Sequence, residues 1–306
     1  MTSPSQATLR GTWYLLPTAF DDAGDLDLAS QRRIVDAAVS WGVDGLTVMG
    51  VMSEPGSLTD DERRRTLQAI FEAANGRVPI IVGCSSVTRH GTVARMKEAR
   101  SLGAVAAMVA APALLRNVDL VPDYMAAVHR DSGLPVLIQD EPAATGVLMP
   151  ISILIRAAQA AGTSAIKVEE PPTPPKMARL LAVDPGLTLF GGLGGMFALH
   201  ELKRGAAGTM TGFAYPEIMR AVRLALESGH ADEAGRLFDR YLPLITFEAQ
   251  QQVGLLIRKE VLRRRGALSS ARTRHLVSLI DDVSAAELSE IFGRVGIQPS
   301  LEPLAL

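Results

Sequence analysis

The stretch from Ala160 to Glu170 reads AAGTSAIKVEE and is followed by two prolines. A glycine after two alanines predicts the end of a helix. The next residues, Ala165–Val168, predict a short buried strand that stops before the prolines. A helix, a glycine turn and a strand form one unit of an alternating α/β fold, so the number of such units decides the architecture.

This unit recurs along the chain. Gly42 and Gly103 likewise lie between the end of a predicted helix and the start of the next strand. Strand-like runs return at intervals of roughly 25 to 35 residues, with helical patterns between them. The predicted strands are Thr12–Pro17, Gly45–Met49, Val78–Val82, Ala104–Val109, Pro135–Ile138, Ala165–Val168, Leu187–Phe190 and Ala207–Thr211. The predicted helices between them include Leu28–Trp41, Asp60–Ala74, Thr92–Leu102 and Ile151–Ala161.

Eight βα units predict an α/β fold of the (β/α)8 TIM barrel type with a C-terminal helical extension. A doubly wound open sheet also explains the alternation, but it does not favour the number eight. After Pro216 the strand pattern stops, and Glu217–Gly229, Ala231–Arg240, Leu242–Arg265 and Ala285–Val295 are predicted helices. We therefore predict a barrel over residues 1–216 and a helical region over residues 217–306 that packs on it.

Composition narrows the function classes. The net charge is −2, with 31 basic and 33 acidic residues, so neither nucleic acid nor a membrane is an expected partner. Cys84 is the only cysteine, which excludes an intrachain disulfide, and the five histidines lack metal-binding spacing. We expect no metal and no cofactor. The polar start of the chain and the lack of a long apolar run predict a cytoplasmic protein.

The strand ends carry the candidate chemistry, because reactive groups of a (β/α)8 barrel lie at the C-terminal ends of its strands. Lys167 closes the sixth predicted strand, where low polarity can leave its amine neutral and nucleophilic. Glu169 could move the protons that imine chemistry requires. An ordinary rim lysine and a plain salt bridge are the alternatives. Gln139 ends an apolar strand and is expected to face the pocket or a buried partner.

Further candidates lie in the neighbouring loops. The loop Gly191–Gly195, which includes Gly192, could hold an anion with its backbone N–H groups, although a tight turn explains the same glycines. Asp140 and Glu141 could bind a metal or cap a helix. The residues alone predict a barrel with a possible lysine nucleophile.

Segments along nearly the whole length of the chain match the pattern of one known family in order. They are Pro17–Asp21 with Gly24, Val43–Leu46, Gly50–Glu54 with Leu58, Thr59, Glu62 and Arg63, Gly76–Gly83, Ala110–Pro112, Leu134–Ile138 with Pro142 and Thr145–Val147, and Ala165–Lys167. In these segments the chain resembles the dihydrodipicolinate synthase / N-acetylneuraminate lyase family of lysine Schiff-base enzymes. Lys167 falls on the imine-forming lysine of that family.

Departures from the family pattern limit what the resemblance implies. The proton relay of the lysine-pathway synthase uses hydroxyl groups at positions that here read Val51, Met52, Leu114 and Gln139. The arginine that binds its aldehyde substrate falls on Ala144. We therefore expect a different reaction. Backbone N–H groups around Val51 and Met52 could still hold the carboxylate of a 2-oxo acid.

The segments Lys167–Glu169, Gln139–Asp140 and Gly208–Gly212 resemble the branch that contains 2-keto-3-deoxy sugar acid dehydratases. This resemblance gives Glu169 the acid/base role, beside Lys167 and Gln139 as catalytic residues. The expected substrate-binding residues are Val51, Met52, Ser53, Asp140, Gly192 and Met210. The implied substrate is a small 2-oxo acid.

Three other activities remain open from the sequence. The protein could be a pyruvate-dependent aldolase that forms its imine at Lys167, or a metal-dependent aldolase, which would be sensitive to chelators. It could also be a sensor that binds a small molecule without catalysis. The resemblance implies a homotetramer or dimer of dimers. The apolar segment Ala113–Leu115 is expected near a subunit contact.

Overall fold

The protein is a closed barrel of eight parallel strands, which pair in sequence order until β8 meets β1. The computed structural model describes residues 9–113 and 115–306. The strands are β1 Gly11–Leu15, β2 Gly45–Val48, β3 Ile80–Gly83, β4 Ala106–Ala110, β5 Val136–Asp140, β6 Ala165–Val168, β7 Thr188–Gly191 and β8 Gly208–Thr211. The predicted (β/α)8 fold and all eight strands are confirmed, with ends shifted by one to two residues in most cases.

Helices alternate with the strands and then continue beyond them. They are α1 Leu28–Ser40, α2 Asp60–Ala74, α3 Arg89–Leu102, α4 Val121–Ser132, α5 Pro142–Thr145, α6 Ile151–Ala161, α7 Thr173–Val183, α8 Ala198–Lys203, α9 Pro216–Glu227, α10 Ala231–Glu248, α11 Gly254–Arg264 and α12 Asp282–Val295. Among the described residues, no helix is both long and apolar enough to span a membrane.

Two separate apolar layers hold the barrel together. The larger layer lies between the strands and the surrounding helices. The smaller one fills the barrel interior with Trp13, Leu15, Ile81, Ala106, Met108, Leu137, Ala165, Phe190 and Met210. Because side chains alternate along a strand, Gln139 and Lys167 point inward with Leu137 and Ala165, above this apolar filling.

The C-terminal helices differ from the predicted ones. Helix α10 runs through Tyr241 and Pro243 to Glu248, so the predicted break at Tyr241 is wrong. The predicted single helix Leu242–Arg265 is also wrong, since the chain turns between Glu248 and α11. Gln252 has a left-handed φ of 69° in that turn, and a Cβ on Gly254 would lie 2.5 Å from the Glu248 carbonyl oxygen.

Helix α9 packs against both β8 and β1, which is the place of the eighth helix of a (β/α)8 barrel. It begins at Pro216, next to the predicted division of the chain. The division into residues 1–216 and 217–306 stays a prediction. Helix α10 contacts α9, α11 and α12, so the C-terminal helices pack on one another and on the barrel.

Candidate active site

A lysine–glutamate pair lies at the C-terminal end of β6. The Nζ atom of Lys167 is 2.9 Å from Oε1 of Glu169. The Glu169 N–H donates to the Asp140 carbonyl over 2.8 Å, which continues the pairing with β5 and turns Glu169 to the same face as Lys167. Lys167 is 2% exposed and Glu169 is 8% exposed. The pair is therefore buried at the end of the barrel where reactive groups are expected.

Gln139 completes the arrangement from the neighbouring strand. It is the register partner of Lys167, and its Nε2 donates to the second oxygen of Glu169, Oε2, over 2.9 Å. One carboxylate oxygen thus faces the amine and the other is fixed by an amide. Since all three side chains are buried, these contacts act in a medium of low polarity and hold one geometry. The predicted catalytic residues are brought together.

The glycine loop after β7 forms a wall of this site. A Cβ on Gly192 would lie 2.1 Å from Oε1 of Glu169, so only glycine leaves room for the carboxylate. On the other side of the strand, a Cβ on Gly191 would lie 1.7 Å from Oε2 of the buried Glu201. Gly194 and Gly195 have left-handed φ angles of 67° and 84°, as a tight turn requires. The geometry gives Gly192 a role in accommodating Glu169.

The loop after β2 offers backbone donors. Val51–Ser53 form a short 3₁₀ turn in which Val51 is 59% exposed and Met52 packs on the apolar filling of the barrel. Among the described residues, the N–H groups of Val51 and Met52 have no backbone acceptor. Ser53 is buried, and its hydroxyl donates to the Leu16 carbonyl over 2.7 Å. Its side chain therefore fixes the loop to the end of β1.

The predicted substrate contacts Asp140 and Met210 have different surroundings. Asp140 follows Gln139 in the strand and so points to the outside, where its Oδ2 is 2.6 Å from Nζ of Lys176 on α7. Burial raises the pKa of Asp140 to about 6 against the effect of that lysine. Met210 is fully buried in the apolar filling of the barrel. Leu114 lies outside the described residues.

Sequence reasoning missed Arg258 on α11. Its guanidinium reaches the same end of the barrel, and its Nη1 is 2.7 Å from the Met52 sulfur. Arg258, Lys259 and Glu260 are all buried, although three consecutive charges are typical of a solvated helix surface. No local pattern would have identified this residue, because its burial depends on how α11 packs.

Comparisons with known proteins identify the relatives of this chain. Residues 8–292 match the Dihydrodipicolinate synthetase family. An L-2-keto-3-deoxyarabonate dehydratase from Azospirillum brasilense is 35% identical in an alignment 314 residues long, which covers 100% of this chain and 99% of the relative. A trans-O-hydroxybenzylidenepyruvate hydratase-aldolase from Sphingobium xenophagum is 34% identical over 111 residues, 34% of each chain.

A solved structure shows the same architecture. The crystal structure of a dihydrodipicolinate synthase from Rhodopseudomonas palustris matches with a TM-score of 0.89 and 30% sequence identity. The match covers 94% of this chain and 98% of that one. The family match over most of the chain and the full-length relative agree, and the chain belongs to the dihydrodipicolinate synthetase family.

Proposed function

We propose that the protein is a Schiff-base lyase that removes water from a 2-keto-3-deoxy sugar acid. The observation that carries this proposal is the buried arrangement of Lys167, Glu169 and Gln139, in which a single carboxylate contacts the amine. The full-length relative named as an L-2-keto-3-deoxyarabonate dehydratase supports the same reaction class.

The first chemical step is imine formation at Lys167. Glu169 accepts a proton from the ammonium, which its Oε1 contacts over 2.9 Å, and the free amine attacks the C2 ketone of the substrate. Glu169 then returns the proton to the C2 oxygen, which leaves as water, so that a protonated imine and a free Glu169 carboxylate remain. The N–H groups of Val51 and Met52, which have no backbone acceptor in the described part of the chain, would hold the C1 carboxylate, because that contact requires no side chain.

Dehydration then proceeds through an enamine. The positive imine nitrogen withdraws electrons from C2, so Glu169 can remove a proton from C3. The enamine electrons expel the C4 hydroxyl, to which Glu169 returns the proton, so that water leaves. Gln139 keeps the carboxylate in place through its second oxygen. Hydrolysis of the imine releases a product that has lost one water and retains every carbon.

The alternative with a specific observation in its favour is a pyruvate-dependent aldolase. The hydratase-aldolase relative matches a third of the chain, and carbon–carbon cleavage would begin from the same imine. In that reaction the bond between C3 and C4 breaks, and the products are pyruvate and an aldehyde. A dihydrodipicolinate synthase is disfavoured, since the relay positions Val51, Met52 and Gln139 carry no hydroxyl group.

The test is borohydride trapping with pyruvate and with a 2-keto-3-deoxy pentonate, read by intact mass and peptide mapping. We expect a reduced adduct on Lys167 with both compounds, and none on the Lys167→Arg variant. Product analysis then separates the reactions: a five-carbon acid that has lost water identifies the dehydratase, and pyruvate identifies the aldolase. If neither compound gives an adduct, the result would count against imine chemistry and favour a binding protein.

The remaining expectations accompany this proposal. The imine itself withdraws the electrons, so the proposed mechanism includes no cofactor. We propose that the protein forms a homotetramer or dimer of dimers, as the resemblance to its family implies, and that it acts in the cytoplasm. Size-exclusion chromatography with light scattering would measure the assembly directly.

A further inference from the structure

Arg258 is a buried cation with few partners. Its residue is 8% exposed, and it extends from α11 towards the C-terminal end of the barrel. Nη1 donates to the Met52 sulfur, which is a weak acceptor. Among the described residues, Nε has no hydrogen-bond partner. The nearest Glu248 oxygen is 3.7 Å from Nε, too far for a hydrogen bond.

Glu248 does not compensate this cation fully. Its Oε2 accepts a hydrogen bond from the Ala214 N–H over 3.0 Å, and its Oε1 has no partner among the described residues. Burial raises the pKa of Glu248 to about 7, so its negative charge is partly lost near neutral pH. A buried guanidinium with unused donors is costly, and a ligand that supplied acceptors would relieve that cost.

The guanidinium lies on the same rim as the lysine–glutamate pair. Its Nη2 is 2.7 Å from the position that a Cβ on Gly194 would occupy. Gly194 belongs to the loop whose Gly192 faces Glu169. Met52, the partner of Nη1, packs on the apolar filling of the barrel, and its own N–H and that of Val51 have no backbone acceptor among the described residues. Arg258 therefore lies between the loops after β2 and β7, at the end of the barrel that carries Lys167.

We propose that Arg258 recognises the distal end of the substrate by binding an oxygen on C5 or beyond. This inference rests on the proposed function, in which Lys167 fixes C2 and the loop after β2 holds the C1 carboxylate. The remaining carbons then extend towards the rim, where Arg258 offers a buried donor. A guanidinium binds either a hydroxyl or a carboxylate oxygen, and the carboxylate can accept two hydrogen bonds.

The test compares three five-carbon ligands: 2-oxopentanoate, 5-hydroxy-2-oxopentanoate and 2-oxoglutarate. They differ only at C5, and none has the C4 hydroxyl that dehydration requires. Affinity is measured by calorimetry and, separately, by the concentration that gives half-maximal borohydride trapping. We expect the wild-type protein to bind at least one of the C5-oxygenated ligands about 10- to 100-fold more tightly than 2-oxopentanoate.

Arg258→Met should remove this preference and leave the affinity for 2-oxopentanoate within about twofold, because that ligand offers Arg258 no oxygen. Arg258→Lys should keep part of any preference for the carboxylate. Arg263→Met is the matched control on the same helix, since Arg263 is exposed and pairs with Glu260. Its ligand preference should equal that of the wild type. The oxygenated ligand that binds more tightly shows whether Arg258 recognises a hydroxyl or a carboxylate at the distal end of the substrate.

Three results would overturn the inference. They are no preference in the wild type, a preference that persists in Arg258→Met, and equal weakening of all three ligands in a folded Arg258→Met. The last result would show a structural role or a contact with the C1 carboxylate. If Arg258→Met does not fold, Arg258→Lys and the wild-type comparison decide. An Arg258-dependent preference in calorimetry without any trapped adduct would refute the lyase proposal and leave this inference intact.

Discussion

The two carboxylate oxygens of Glu169 have different partners, Lys167 and Gln139. The contact with Lys167 predicts that Glu169→Gln lowers turnover. One positioned acid/base contributes about 10²- to 10⁴-fold in rate, so kcat should fall by that factor. Imine formation should persist at a reduced rate, because Lys167 still supplies the attacking nitrogen after its carboxylate partner is removed. Turnover and the rate of borohydride trapping should be measured together.

Glu170→Gln is the matched control for this change. Glu170 is the next residue, but it pairs with Lys176 outside the barrel. Its replacement should leave kcat within about twofold. If Glu169→Gln abolished trapping and turnover to the same extent, the proposed division between nucleophile and acid/base would be wrong.

Gly192 gives a second prediction at this scale. In Gly192→Ala, the new methyl would lie 2.1 Å from Oε1 of Glu169, so the carboxylate must move away from Lys167. We expect turnover to fall at least tenfold, since the acid/base has lost its position. Circular dichroism should show a folded protein. Gly235→Ala is the control: a Cβ there has nothing within 4 Å, and activity should be unchanged.

The residues of the site differ in how far the sequence could predict them. Lys167 and Glu169 are two residues apart at a strand end, which places both on one face, and the resemblance supplied their roles. Asp140 was expected beside them, but the strand alternation turns it towards Lys176. Arg258 was missed because its position depends on the packing of α11. Local periodicity carries no information about such long-range contacts.

At the scale of elements, the strands were easier to predict than the C-terminal helices. Each strand is a short apolar run that ends at turn residues, so its own sequence defines it. Helices α10 and α11 are defined by contacts instead. Pro243 lies inside α10, where the sequence favours a break, and the real turn follows Glu248. Tertiary packing overrides local propensity at both places.

Helix α8 carries a buried acid whose ionisation should couple to stability. Burial raises the pKa of Glu201 to about 7, although the Thr173 hydroxyl donates to it. The folded state therefore binds this proton more tightly than the unfolded state does. Its stabilising contribution is complete below about pH 4.5 and is lost as the pH rises through about 7.

Glu201→Gln tests this coupling, because an amide cannot ionise. Relative to the wild type, the variant should gain up to about 3 kcal/mol between pH 5 and pH 8. Urea unfolding midpoints of both proteins at the two pH values measure the change. Glu287→Gln, an exposed site on α12, should show no such trend. A constant difference between the Glu201→Gln and wild-type midpoints would contradict the assignment.

At the scale of the whole molecule, the three proposed catalytic side chains come from two adjacent strands of one chain. Gln139 belongs to β5 and Lys167 to β6, and Glu169 follows β6 directly. Their contacts with one another therefore need no second subunit. If the protein is the expected homotetramer, its assembly and its imine chemistry should be separable.

We predict that the rate of borohydride trapping per chain with pyruvate stays constant as the protein is diluted through dissociation of the oligomer. The physical reason is that pyruvate needs only the amine, its carboxylate partner and the backbone N–H groups after β2, all of which one chain supplies. Mass photometry at each concentration would report the assembly, and Lys167→Arg would give the background. Trapping that fell in step with dissociation would instead show that a partner subunit completes the pocket.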